Sequence, residues 1–275
     1  MKALIPAAGY GTRFLPATTV LPKELLPIGA KPALQLIVEE ALDAGAESVV
    51  IVTSPDKPAL RRYFEPSDLW RARAAKRPEA AAALDHVAAL GRRLTWVQQT
   101  EQKGLGHAVL QAADTLANET EPILVLLGDA LVSGTAPSAA MVALARAVGP
   151  GASVVGLEEV PLEKVSRYGI VAGQPAHNVP PTLDPARVLA LSDLVEKPAP
   201  EAAPSRLAIA GRYLLDPAIF GLLATQRPGV GGEIQLTDAI RRLIADHPVY
   251  GYRYPGRRHD IGNPAGYLET LLAFR

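Results

Sequence analysis

The residues best suited to chemistry lie near the start of the chain, in a glycine turn followed by two cations. The turn reads Ala7-Ala8-Gly9-Tyr10-Gly11-Thr12-Arg13 and follows a short apolar run, Ala3 to Pro6. A loop rich in proline comes next and carries Lys23. Glycine lets backbone N–H groups approach a phosphate closely, and Arg and Lys neutralise its charge. The pattern therefore indicates a binding site for a polyphosphate.

Two common phosphate-binding motifs do not fit this turn. A P-loop requires GxxxxGK[ST], and no Lys-Ser or Lys-Thr follows the glycines here. A dinucleotide fingerprint requires GxGxxG leading into a helix, but Phe14 stands in place of the third glycine and Pro16 follows soon after. The two glycines alone leave open a tight turn after a first strand, with no ligand.

Composition excludes several functional classes. The chain has 275 residues, enough for one large α/β domain or two small ones, and its formal net charge is zero. This neutral net charge argues against nonspecific nucleic-acid binding, which needs a basic surface. It has no cysteine, which excludes disulfides and Cys-ligated zinc. No secretory signal and no run of about 20 apolar residues is present, so we expect a cytoplasmic protein with no nucleic-acid or membrane partner.

Alternating helix and strand patterns predict the elements that position these residues. Apolar spacing predicts a helix from Pro32 to about Gly45, followed by a strand buried on both faces, Ser48 to Val52. We expect an α/β, Rossmann-like fold whose mixed, mostly parallel central sheet is flanked by helices. Residues 57–94 form an insert rich in Ala, Arg and Glu, which we interpret as a solvated helical face. A subunit contact or a lid is the alternative for this insert.

A candidate acidic residue follows the most hydrophobic predicted strand, Ile123 to Leu127. Asp129 lies just beyond the carboxyl end of that strand, where ligands of open α/β sheets bind. A second carboxylate, Asp260, lies in the segment His259-Asp260-Ile261-Gly262. A turn-forming role for Asp129 and a structural role for Asp260 remain the alternatives.

Taken together, residues 9–32 carry a long pattern, GxGTRxLPxT…PKExLP…KP, that resembles the signature of the sugar-1-phosphate nucleotidyltransferases. The similarity continues nearly to the end of the chain, through Lys103–Ala108, Val195–Pro198, Gly232–Ile240 and His259–Tyr267. Within this family the chain is most similar to the uridylyl branch. The resemblance implies transfer of a uridylyl group from UTP to glucose 1-phosphate, giving UDP-glucose and pyrophosphate. It also implies Mg²⁺ as cofactor and a homo-oligomer, dimer or tetramer.

The resemblance implies a nucleotide-binding half at about residues 1–118 of a single domain, residues 1–275. Arg13 would reach the β- and γ-phosphates and steady the leaving pyrophosphate, and Lys23 would bridge phosphates near the attacked phosphorus. Asp129 and Asp260 would hold Mg²⁺, which prefers few protein ligands, and Arg13, Lys23 and Asp129 would be catalytic. The further nucleotide contacts expected are Ala8, Gly9, Gly11, Thr12, Gln99 and Gly104. Gln98 and Gln102 are the alternatives to Gln99 for binding the base.

Residues 119–275 would form the sugar-phosphate-binding half. The contacts expected there are Gly169, Glu196, Lys197 and Glu233, with Glu196 accepting from sugar hydroxyls and Lys197 pairing with the phosphate. A strand-end ion pair is the alternative for Glu196 and Lys197. We expect His107 to support a loop rather than act as a general base, because this reaction needs no strong base.

The chain departs from its relatives at two positions. Thr19 stands where close relatives usually carry lysine, and Gly128 where the uridylyl branch often has proline. These departures leave open a thymidylyltransferase that uses dTTP. A second alternative is a catalytically weak paralogue that regulates a partner enzyme.

Overall fold

A computed structural model describes residues 1–274 of the chain; Arg275, the last residue of the expected domain, lies outside them. The strands are β1 (Ala3–Pro6), β2 (Pro27–Ile28), β3 (Lys31–Pro32), β4 (Val49–Thr53), β5 (Leu94–Gln98), β6 (Ile123–Leu126), β7 (Ala130–Ser133), β8 (Ser153–Glu159), β9 (Gly169–Pro175), β10 (Val188–Glu196), β11 (Leu207–Leu215), β12 (Val249–Arg253) and β13 (Arg257–Asp260). The helices are α1 (Ala33–Asp43), α2 (Pro58–Phe64), α3 (Asp68–Ala74), α4 (Pro78–Gly91), α5 (Leu105–Leu110), α6 (Pro137–Val148), α7 (Ile219–Ala224), α8 (Leu236–Leu243) and α9 (Pro264–Ala273).

A nine-stranded sheet runs through both halves of the chain, in the order β5-β4-β1-β6-β11-β8-β12-β10-β9. The first four strands are parallel; Leu4 of β1, for example, pairs with Val50 on one side and Val125 on the other. From β6 onward the sheet is mixed, because β11 is antiparallel to β6 and β8, and β10 is antiparallel to β12 and β9. The α/β class and the mixed central sheet flanked by helices are confirmed.

The expectation of mostly parallel pairing holds for the first half of the sheet and not for the second. Parallel neighbours need a crossover connection, and helices supply it between β1, β4, β5 and β6. No α-helix separates β9 from β10, so these two strands pair antiparallel over residues 169–196. A run of apolar residues predicts a strand but does not give its direction.

Hydrophobic side chains fill both faces of the sheet. Ala3 and Ile5 of β1 belong to one buried cluster, which includes Leu34 and Ile37 of α1. Leu4 lies between them in sequence and belongs to the cluster on the opposite face, with α5 and α8. Successive side chains of a strand point to opposite faces, so a strand that is apolar at every position is buried on both sides.

The insert at residues 57–94 forms α2, α3 and α4 and ends where β5 begins. Many of its side chains are exposed, including Leu69 and Trp70 at 59% each. Lys57, the first residue of the insert, is instead buried, with a side chain only 6% exposed. The interpretation of the insert as a solvated face is therefore wrong for Lys57. Within residues 1–274, none of the helices is both long enough and apolar enough to cross a membrane.

Candidate active site

A cavity of about 560 Å³ lies at the carboxyl end of the parallel strands and continues along the ends of β9 and β10. The carboxyl edge of such a sheet is where α/β proteins bind ligands. Most of the residues expected at the site line it: Ala8, Gly9, Arg13, Lys23, Gln99, Gly104, Asp129, Gly169, Glu196, Lys197, Glu233 and Asp260. Gly11 and Thr12, where the glycine turn passes into the 3₁₀ turn Thr12–Phe14, are not in its wall.

The glycine turn follows β1 and leaves several backbone donors free. Gly11 has a left-handed backbone, φ 66°, and a Cβ there would come within 3.1 Å of Thr18 Cγ2 and 3.4 Å of Lys23 Cδ. The Thr18 hydroxyl donates to the Gly11 carbonyl, 3.0 Å away, so the following loop folds back onto the turn. Among the described residues, no protein acceptor receives the N–H groups of residues 8–11. Such unpaired N–H groups suit an anion.

Lys23 and Asp129 form an ion pair in the wall of the cavity. Lys23 Nζ lies 2.5 Å from Asp129 Oδ2, and the Lys23 side chain is 14% exposed. Burial lowers the pKa of Lys23, but the carboxylates of Asp129 and Glu24 outweigh it, so the pKa is raised. Burial raises the pKa of Asp129, but the Lys23 ammonium outweighs it, so that pKa is lowered. Both groups are therefore charged at neutral pH, and the cation is held in place before any ligand arrives.

Asp260 is brought beside Asp129 by the antiparallel pair β7–β13, in which Ala130 pairs with Asp260. The Ile261 N–H also donates to the Asp129 carbonyl, 2.9 Å away. Asp260 is oriented by its neighbours: the Gly262 N–H donates to Oδ1 at 2.7 Å and the Asn263 amide donates to Oδ2 at 3.2 Å. Sequence patterns did not predict this strand pair, because residues 257–260 are polar.

The geometry around Gly262 fits a small cation between the two carboxylates. A Cβ at Gly262 would lie 2.9 Å from Asp260 Oδ1 and 3.2 Å from Asp129 Oδ2, so both oxygens face the space that the missing side chain leaves. Arg13 Nη1 would lie 3.7 Å from the same point. Within residues 1–274 there is no group of three or more potential protein ligands for a metal. Two carboxylates alone suit Mg²⁺, which takes its other ligands from phosphates and water.

Gln99 and Gln102 lie at the end of the cavity next to β5, whereas Gln98 is exposed and outside it. Gln99 is 2% exposed, and its backbone N–H donates to the Thr53 carbonyl at 2.8 Å. Its side-chain Nε2 lies 2.8 Å from His107 Nδ1, so the imidazole holds the amide in place. Gln102 Nε2 donates to the Ala8 carbonyl at 3.3 Å. Gln99 thus presents a fixed amide, which suits recognition of a base edge.

A further part of the cavity wall is formed where β10 ends. Lys197 has a left-handed backbone, φ 48°, which is uncommon outside glycine, and its Nζ lies 3.3 Å from Glu196 Oε1. Gly169 begins β9 opposite this pair, and a Cβ there would come within 2.7 Å of Thr237 Oγ1 and 3.2 Å of Glu196 Oε2. Glu233 follows an exposed glycine loop and accepts from Gln235 Nε2 at 2.9 Å.

Sequence reasoning missed two charged residues beside the cavity. Arg258 lines it, donates from Nε to Glu158 Oε1 at 2.5 Å, and lies over the Tyr168 ring at 4.9 Å. Burial lowers the pKa of Arg258, but Glu158 outweighs it, so the guanidinium stays charged. Its position two residues before Asp260 in the sequence is the signal that could have identified Arg258 as a residue of the site. Lys57 lies behind the glycine turn. Its position at the start of a charged insert predicts a solvated side chain, so sequence reasoning did not assign it to the site.

Comparison with known proteins gives a consistent set of relatives. A profile of the nucleotidyl transferase family, described as "Nucleotidyl transferase", matches residues 2–274. The UTP–glucose-1-phosphate uridylyltransferase of Staphylococcus haemolyticus is 42% identical over 274 residues, which cover 99% of this chain and 91% of the relative. An apo UDP-glucose pyrophosphorylase crystal structure has a TM-score of 0.87 at 40% identity, covering 99% of this chain and 97% of that one. A UDP-glucose pyrophosphorylase complexed with UDP-glucose has a TM-score of 0.84 at 38% identity, with the same coverage.

Proposed function

The chain belongs to the nucleotidyl transferase family, and on that premise we propose that it transfers a uridylyl group from UTP to glucose 1-phosphate. The products are UDP-glucose and pyrophosphate. The observation that carries this proposal is the convergence of Arg13, Lys23, Asp129 and Asp260 on one cavity beside the free N–H groups of the glycine turn. Two highly charged anions must meet in this reaction, and that set of groups can bind and orient them.

On the nucleotide side, the glycine turn, Arg13 and Lys23 bind the triphosphate, and Gln99 pairs with the uracil edge. Asp129 holds Lys23 at the phosphates that flank the α-phosphorus, and Arg13 stabilises the charge that develops on the leaving pyrophosphate. Mg²⁺ bound by Asp129 and Asp260 would neutralise phosphate oxygens at the same place. We assign residues 1–118 to this nucleotide-binding half, to which the second half of the chain adds Asp129 and Asp260.

On the sugar side, Glu196 accepts hydrogen bonds from glucose hydroxyls and Lys197 pairs with the sugar phosphate. Glycine at position 169 leaves space beside that carboxylate, because a Cβ there would come within 3.2 Å of Glu196 Oε2. A phosphate oxygen of glucose 1-phosphate then attacks the α-phosphorus of UTP, and the bond to pyrophosphate breaks. The protein supplies position and charge and needs no nucleophile of its own. Residues 119–274 carry these groups.

The two alternatives have less support. Among the relatives compared above, each name or title refers to glucose-1-phosphate uridylyl transfer or UDP-glucose, which favours UTP over dTTP. A regulatory paralogue without activity would be expected to lose a phosphate-binding cation or a metal carboxylate. All four charged residues are present here and line one cavity.

The experiment that tests this proposal measures pyrophosphate release from UTP, dTTP, CTP, ATP and GTP with glucose 1-phosphate. We expect turnover with UTP to be fastest, to form UDP-glucose, and to stop when EDTA removes divalent metal. Galactose and mannose 1-phosphates in place of glucose 1-phosphate test the sugar side. Preference for another nucleotide would contradict the branch assignment, and no turnover with any nucleotide would contradict the enzyme assignment.

A further inference from the structure

Lys57 is a buried cation whose ammonium group makes four close contacts at the back of the glycine turn. Its Nζ lies 2.9 Å from the Ala7 carbonyl and 2.5 Å from the Gly9 carbonyl. The same atom lies 3.0 and 2.9 Å from the two carboxylate oxygens of Glu24, a side chain that is 1% exposed. Lys57 is not in the wall of the cavity, so it does not touch a ligand bound there.

The contacts of Lys57 determine which way the backbone donors of the turn point. The peptide bonds of the turn are trans, so each carbonyl points away from the N–H of the same peptide unit. The Ala7 and Gly9 carbonyls point at Lys57, and the N–H groups of Ala8 and Tyr10 therefore point away from it. These N–H groups are among those that no protein acceptor receives within the described chain. The ammonium group thus orients donors that remain available to a ligand.

Lys57 also connects the turn to the second phosphate-binding segment. Glu24 follows Lys23 in the 3₁₀ turn Lys23–Leu25, and its carboxylate accepts hydrogen bonds from Lys57. The Lys23 side chain instead donates to Asp129. One buried ammonium therefore fixes the two segments, residues 7–9 and 23–24, relative to each other. Burial lowers the pKa of Lys57 below its ordinary value and raises the pKa of Glu24 above its own, and the attraction between the two charges opposes both shifts.

Stability of the fold alone does not explain why Lys57 and Glu24 are buried as an ion pair. Replacing a buried ion pair with apolar groups of similar volume is often neutral or stabilising. Glu24 alone would suffice as a partner for the charge. The two additional contacts to carbonyls of the glycine turn are what a positioning role requires.

We propose that Lys57 is a positioning residue that holds the glycine turn and Lys23 in the arrangement that binds the nucleotide triphosphate. This inference rests on the proposed binding of UTP by the same turn. Misplacing binding groups by about 1 Å can cost on the order of 100-fold in rate. We therefore expect loss of Lys57 to reduce kcat/KM for UTP by about 10- to 100-fold, with a much smaller change in KM for glucose 1-phosphate.

The test separates this role from stability with a double variant. Lys57→Met alone would leave Glu24 buried without a partner and destabilise the fold. Lys57→Met/Glu24→Gln removes both charges. We expect this double variant to unfold at a temperature close to that of wild type and to have a higher KM for UTP than wild type. The matched control is Arg61→Met, an exposed residue of α2 that pairs only with Glu65 among the described residues and should leave both KM values unchanged.

A second variant measures the same quantity if the double variant does not fold. The chain has no cysteine, so Lys57→Cys creates a unique thiol. Alkylating the unfolded variant with 2-bromoethylamine forms a carbon–sulfur bond, releases bromide, and restores an ammonium at nearly the length of lysine. We expect this adduct, after refolding, to recover the KM for UTP of wild type, while the adduct made with bromoethane does not.

Two results are kept distinct by this design. The positioning role of Lys57 is wrong if wild type turns over UTP and the folded double variant has the same KM for UTP as wild type. The same conclusion follows if the bromoethane adduct has the KM of wild type. If wild type itself forms no UDP-glucose from UTP, the proposed function is wrong.

Discussion

On the nucleotide side of the cavity Lys23 contacts Asp129 at 2.5 Å with its side chain 14% exposed, whereas on the sugar side Lys197 lies 3.3 Å from Glu196 and is 39% exposed. The first cation is further fixed through Glu24 and Lys57. The second stands on a strained backbone, φ 48°, and Glu233, another residue expected to bind the sugar phosphate, follows an exposed glycine loop. Under the proposed function, the triphosphate therefore meets a lysine that is already in place, while the sugar phosphate meets a lysine that is held more loosely.

Prearranged charge matters most where charge changes during the reaction. In the proposed reaction the bond to pyrophosphate breaks on the nucleotide side, next to Arg13, Lys23 and the two carboxylates. Substitutions there should therefore lower kcat, and substitutions around Lys197 should act mainly on binding of the sugar phosphate.

The largest effect is expected for Asp129→Asn, which removes both the partner of Lys23 and one of the two carboxylates facing Gly262. Losing one preorganised charged group costs about 100- to 1,000-fold in rate, and Asp129 acts on two such groups. We expect a loss of about 1,000-fold in kcat/KM, measured by pyrophosphate release at saturating Mg²⁺. Asp114→Asn, at an exposed position, is the control. A loss below tenfold in a folded variant would show that Asp129 is not part of the reacting site.

A smaller effect is expected for Gln99→Leu, which removes the amide that His107 holds in place. A lost hydrogen bond costs about 1.5 kcal/mol, or about tenfold in binding. We expect kcat/KM for UTP to fall about tenfold and the preference for UTP over CTP to narrow. The matched control is Gln98→Leu, the exposed neighbour in β5. An unchanged ratio of UTP to CTP would exclude Gln99 from base recognition and turn attention to Gln102.

Part of the nucleotide side could be predicted from the sequence, and part of it could not. The glycine turn, Lys23 and Asp129 were predictable because their motif is local and the strand before Asp129 is strongly apolar. The pairing of β7 with β13 was not, because it joins residues about 130 positions apart through a short polar segment. Lys57 was missed for a related reason. A lysine in a charged insert is usually solvated, and only its distant partners in the turn reveal that it is buried.

The smallest effect concerns acid stability. The pKa of Asp129 lies below its ordinary value of 3.8, because the Lys23 ammonium lowers it by more than burial raises it. Its ionised form therefore stabilises the fold above about pH 4, and that contribution is lost as the pH falls through the lowered pKa. The free energy of unfolding of wild type should exceed that of Asp129→Asn by less at pH 3 than at pH 6. Urea unfolding at several pH values measures this, and a difference that grows on acidification would contradict the pairing.

The division of the cavity into a nucleotide side and a sugar-phosphate side is tested most directly by calorimetric binding of UTP and of UDP-glucose. Lys23→Met should weaken binding of both ligands by about tenfold, because both carry phosphates next to the glycine turn. Lys197→Met should weaken UDP-glucose by a similar factor and leave the affinity for UTP within about twofold of wild type. If Lys197→Met weakens UTP as much as UDP-glucose, the two sides are not separate and the assignment of Lys197 to the sugar phosphate is wrong.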